Sequence, residues 1–123
     1  MNPKEFFYNL HDESQGIPRE LAPGISTRIF PGNQAMLSVV RLEPDAVGTP
    51  HSHDEEQWGV MLEGSAIRIQ EGEEVPVQAG DFWLTPGGVE HSIRAGSQGA
   101  VVLDVFSPPR EAYRKAGTGF GEV

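Results

Sequence analysis

The strongest constraint on the fold is the absence of any sustained helical period. Short alternating runs recur instead, each closed by glycine or proline. With 15 glycines and 10 prolines in 123 residues, the chain turns too often for long helices. Strands are expected over 25–30, 35–43, 57–62, 66–70, 75–77, 81–85, 89–93 and 100–106. In 35–43, Leu37, Val39 and Arg41 share one face, and Met36, Ser38, Val40 and Leu42 share the other. In 66–70, Ile67 and Ile69 oppose Arg68 and Gln70. Period-two runs between such turns specify an all-β barrel or jelly roll. Residues 1–24, with Phe6, Phe7, Tyr8 and Leu10, read as an N-terminal arm. Residues 25–110 read as the barrel, and the glycine-rich 111–123 as a loose tail beginning with a helical turn.

A chain of 123 residues is one domain with one core, and a small barrel encloses at most one small ligand. The net charge of −9 argues against nucleic acid and anionic membranes, which reward clustered Lys and Arg. It leaves a small anionic substrate open, because local charge decides that contact. With no cysteine, nothing calls for an oxidising compartment. The start of the chain lacks the apolar run of a signal peptide, and no stretch approaches a membrane span. The expected location is the cytoplasm. The aromatic arm and exposed strand edges call for cover, so a homodimer is expected.

Chemistry concentrates in His51-Ser52-His53-Asp54-Glu55-Glu56-Gln57 and in Pro86-Gly87-Gly88-Val89-Glu90-His91. Side chains one residue apart on a strand point the same way, so His51 and His53 form a pair. Neutral imidazole is the commonest metal ligand, and His91 from a neighbouring strand would complete a clamp. Gln57 keeps the phase of the pair if the strand stays regular. Taken alone, His-x-His is as often a surface pair beside a solvated acidic turn; the downstream motif favours the metal. His11 stands apart from both motifs and reads as a surface residue.

The two motifs together resemble the cupin family. In the first, His51 and His53 are followed by three residues, Gln57, six residues and Gly64. In the second, Gly80 is followed by five residues, Pro86-Gly87-Gly88, two residues and His91. The family's glycine six residues before the first histidine is Asp45 here, its usual acidic ligand is Gln57, and its closing asparagine is Ala95. The resemblance implies a single-domain double-stranded β-helix, a jelly-roll barrel, holding one divalent ion. Ligands open to substrate suit nickel, zinc, iron or manganese alike.

A narrower resemblance, carried by 102–111 with Pro50 to His53 and Glu56-Gln57, is to KdgF-type cupins. These ring-open 4,5-unsaturated monouronates from pectin and alginate breakdown to linear keto acids. It implies metal ligands His51, His53, Gln57 and His91, and catalytic residues Asp104, Phe106 and Arg110. The residues themselves are compatible with these roles. Asp104 shares an apolar strand face with Val102 and Phe106, where a carboxylate is costly unless paired or protonated. Arg110 follows two prolines and has the planar fork that suits a carboxylate. Phe106 is a pocket wall or plain core. Another metal-dependent cupin enzyme (a dioxygenase, cyclase or lyase) and a non-catalytic cupin binding a small acid remain open readings.

Overall fold

The structure, a computed structural model, describes residues 2–121. Eight strands form it: β1 (Ile17–Ala22), β2 (Ile25–Pro31), β3 (Met36–Leu42), β4 (Glu56–Gln70), β5 (Glu73–Gln78), β6 (Phe82–Thr85), β7 (His91–Ser107) and β8 (Gly117–Thr118). Two short 3-10 turns, Pro3–Phe6 and Glu111–Arg114, flank them. The sheet runs β5-β4-β7-β3-β2-β1-β8, with β6 added to β4. Among the described residues no helix is long and apolar enough to cross a membrane.

Two long strands organise the jelly roll. β4 and β7 pair antiparallel over most of their length, with register shifts at Met61/Glu63 and Gly64/Ala66. The C-terminal half of β7 continues into β3, and the N-terminal half of β4 into β6. The irregularity lets one strand serve both layers, because a bulge bends its strand and raises the twist. The sequence had suggested separate strands at 57–62 and 66–70, and at 89–93 and 100–106. Glu63-Gly64-Ser65 is this bend within one strand rather than a turn that separates two. Gly64 has φ +82°, and a Cβ there would lie 2.1 Å from Gly99 O, so no other residue fits.

The arm and tail also depart from expectation. β1 lies inside 1–24 and pairs antiparallel with β2, so the sheet begins within the arm. Ahead of it, Tyr8 packs on Phe30 with ring centroids 4.8 Å apart. The tail is tied down: β8 pairs parallel with β1. Arg19 donates to Ala112 O at 2.9 Å, Thr118 O at 2.7 Å and Gly119 O at 2.7 Å. A glycine-rich sequence carries no sign of that anchoring, because the donor is an arginine about a hundred residues away.

The core lies between the layers and includes Ile25, Ile29, Met36, Met61 and Val102, all almost fully buried. Outside, the pairing β3-β7-β4-β6 aligns Leu37, Val105, Trp58 and Leu84 in one row and Val39, Leu103, Val60 and Phe82 in the next. Leu37, Trp58, Phe82 and Leu84 are exposed.

Candidate metal centre

The three motif histidines converge. An isolated antiparallel bridge joins His51 to His91, with His51 N donating to His91 O at 3.0 Å and His91 N donating to His51 O at 2.9 Å. The second motif holds the first in place. Gly88, at φ +84°, donates its N–H to His53 O at 2.8 Å. A Cβ on Gly87 would sit 2.2 Å from Asp54 O. The Pro-Gly-Gly turn is therefore the clamp that seats the His51–Asp54 loop. Asp45, at the family's glycine position, has φ 63°, the left-handed conformation that glycine adopts freely and aspartate tolerates.

Each imidazole is oriented by its own loop. His51 Nδ1 lies 2.8 Å from Thr49 O, His53 Nδ1 3.0 Å from Glu55 O and His91 Nδ1 2.8 Å from Val89 O. A carbonyl only accepts, so each Nδ1 carries the proton and each Nε2 keeps its lone pair. Potential ligand atoms of the three rings lie within 4.8 Å of one another. His91 Nε2 is enclosed with no hydrogen-bond partner. Gln57 Oε1 stands 3.0 Å from His53 Nε2; two acceptors face each other there, an arrangement that a cation between them relieves. Burial lowers His51 to about 4 and His91 to about 3, and lowers His53 as well; Arg110 adds to the effect at His51 and His53, and Arg68 at His91. Three neutral imidazoles and a carboxamide oxygen thus fit a divalent ion.

The site opens on a narrow barrel cavity lined by His51, Gln57, Arg68, His91, Asp104 and Phe106, among others. Asp104 stands on β7 opposite Ser38 of β3 and Gly59 of β4. Its Oδ1 is enclosed and unpartnered. Burial pushes its carboxyl up to about 6, against the opposing pull of Arg68, the Gln57 side chain and Arg110. Phe106 is buried with its ring 5.6 Å from that of His53, so it is wall and core at once.

Of the seven expected site residues, Arg110 is the one that belongs to neither the histidine cluster nor the cavity lining. It is buried but does not line the cavity. Its guanidinium lies 4.3 Å from the Tyr113 ring centroid and 5.7 Å from that of Phe106. Nη2 donates to Gly121 O at 3.3 Å, and Nε is 3.9 Å from Glu55 Oε1. Two residues that the sequence did not single out do reach the cavity. Arg68 was read only as the polar half of an alternating strand; its phase with Gln57 across the β4 bend is invisible without the bulge. Phe120, from the tail, stacks on His51 at 4.2 Å. His11 is exposed.

The sequence profile of the cupin-domain family matches residues 38–106. The chain belongs to the cupin family. Cupins similar to it include oxalate decarboxylase OxdC of Bacillus subtilis (strain 168), 36% identical over 113 residues. That match covers 85% of this chain, but the chain spans only 28% of the decarboxylase. The pectin degradation protein KdgF of Dickeya dadantii (strain 3937) is 31% identical over 108 residues, covering 86% of this chain and 96% of that protein. The structure of KdgF from Halomonas sp. superposes with a TM-score of 0.72 at 30% identity, covering 80% of this chain and 94% of that one. The chain is therefore a small cupin of KdgF-like extent. One study of the Bacillus decarboxylase concerns its Mn(II) centres.

Proposed function

We propose that this cupin is a metal-dependent, non-redox enzyme that converts 4,5-unsaturated monouronates from pectin or alginate breakdown to linear keto acids. The observation that carries the reading is a three-histidine cluster that opens on a cavity also lined by Gln57 and Asp104, in a chain that spans 96% of a KdgF. His51, His53, Gln57 and His91 would hold one divalent ion, either nickel, zinc, iron or manganese. Bound there, the ion supplies Lewis acidity toward substrate oxygens, at full charge because all four ligands are neutral.

The chain's own groups do the rest. Asp104, held near 6 by burial, exchanges a proton readily around neutrality, as a general acid–base group must. It moves the proton as the hemiacetal ring opens and the enol becomes a ketone. Phe106 walls the cavity beside His53. Arg110 packs over Tyr113 and Phe106 and ties Gly121, so it supports substrate binding by ordering that wall. The arm 1–24, barrel 25–110 and tail 111–123 act as one unit, which we place in the cytoplasm.

The test is to incubate metal-loaded protein with the products of pectate and alginate lyases and follow absorbance of the 4,5 double bond. Loss of that absorbance, independent of oxygen, is expected. Turnover only with iron and oxygen would make the protein a dioxygenase, and saturable binding without turnover would make it a binding protein.

A further inference from the structure

Arg68 is a buried cation with no carboxylate in contact with it among the described residues. It is 6% exposed, and its hydrogen bonds go to neutral groups: Nη2 to Thr85 Oγ1 at 2.8 Å and Nε to Gln70 Oε1 at 3.2 Å. The Trp83 ring lies 5.6 Å from its guanidinium carbon. Nη1 makes no hydrogen bond among the described residues. Arg41, Arg94, Arg110 and Arg114 each have a glutamate within 4.0 Å; no carboxylate among the described residues comes that close to Arg68. Arg28, also buried, directs its donors to the carbonyls of Leu10 and Asp12. Removing an unpaired guanidinium from water is costly. Burial pulls Arg68 down only to about 10, so the charge persists at neutral pH.

This charge belongs to the site. Arg68 lines the same cavity as His51, Gln57, His91 and Asp104. Asp104 is the one carboxylate among the lining residues and acts on Arg68 from beyond contact distance. An occupied metal site would add two more positive charges with four neutral ligands. The cavity is thus built to receive an anion, and a planar fork with an unused nitrogen suits a carboxylate.

We infer that Arg68 is the anion-holding group of this site, meeting the carboxylate of the acidic substrate from inside the barrel while Arg110 remains a positioning residue behind the wall. The inference rests on the proposed uronate reading for the identity of the acid, though not for the presence of an anion site.

The experiment compares an acid with its neutral ester on metal-loaded protein. Wild type, Arg68→Gln and Arg68→Lys are assayed with a 4,5-unsaturated monogalacturonate and its C6 methyl ester. Removing a charge-assisted contact typically lowers affinity about tenfold to a hundredfold, so Arg68→Gln should lower the acid-over-ester preference in kcat/KM by about that factor, mainly through KM. Arg68→Lys should retain part of the preference. Because both substrates use Asp104, any change in its proton affinity cancels in the ratio. An equal loss on acid and ester would make Arg68 structural and overturn the inference, as would an unchanged ratio. If Arg68→Gln does not fold, the Arg68→Lys ratio decides by the same criterion. If wild type opens no unsaturated uronate, the uronate reading falls. The inference is then decided by calorimetric binding of galacturonate against its methyl ester, with the same loss of preference expected and equal weakening overturning it.

Discussion

At the residue scale, the proposed site separates the groups that would hold a metal from the one that would move a proton. Asp104→Asn nearly preserves shape but cannot exchange a proton, so turnover should fall about 10²–10⁴-fold while metal content, measured by plasma mass spectrometry, stays at the wild-type level. Near-normal turnover would remove Asp104 from the mechanism. Gln57→Glu should keep the metal and raise KM for an acidic substrate, because one positive charge is cancelled at the centre; an unchanged KM would contradict this. The imidazoles also give the metal-free protein an acid sensitivity. Folded His51 and His91 titrate at about 4 and 3, below the roughly 6.5 of an unfolded chain. The folded state therefore binds fewer protons, and stability is lost as pH falls from about 6.5 toward 4. Asp104, raised to about 6, works in the opposite sense, but one carboxyl stands against three lowered histidines. Thermal melts of chelated protein should show a midpoint that drops between pH 7 and 4.5; a rise would refute the balance. The convergence of His51, His53 and His91 was legible because their spacing survives in sequence, whereas Asp104 was singled out through the family resemblance. Arg68 was not legible, because its inward face depends on a register shift that hydropathy does not encode.

At the element scale, the glycines of the two motifs are geometric requirements. Gly64 closes the bend of β4 against Gly99, and Gly87 and Gly88 seat the loop that carries His53. Gly64→Ala should be among the most damaging single-methyl changes available, since both its positive φ and a backbone contact forbid the added atom. Loss of the folded fraction, or a melting midpoint more than about 8 °C lower, as a change above 1–2 kcal/mol gives in a domain this size, is expected. A midpoint within error of wild type would show that β4 does not bend there. The alternation of β3 and the C-terminal half of β7 was readable, since one face of each is core. The fusion of four expected strands into β4 and β7 was not. Gly64 and Gly99 look like hairpin punctuation until the partner backbone is in view. The tail was misread for a similar reason: what anchors it is Arg19, far away in sequence.

At the scale of the whole molecule, two paired rows of uncharged side chains cross β3, β7, β4 and β6, and Leu37, Trp58, Phe82 and Leu84 in them are open to solvent. Contiguous apolar faces of this kind mark interaction sites. A second copy is the occupant expected. A two-fold axis needs only one self-complementary patch, and for a chain of net charge −9 an uncharged face is where two copies repel least. Light scattering at micromolar concentration should report a dimer, and Phe82→Asp a monomer; a wild-type monomer would refute the assignment. The same arrangement gives the protein a built-in optical readout. Its two tryptophans divide between the open face, where Trp58 stands, and the interior, where Trp83 lies against Gly59 and beneath Arg68. Dilution through dissociation should shift Trp58 emission to the red, while Trp58→Phe leaves a single fluorophore that senses only the barrel and its ligand.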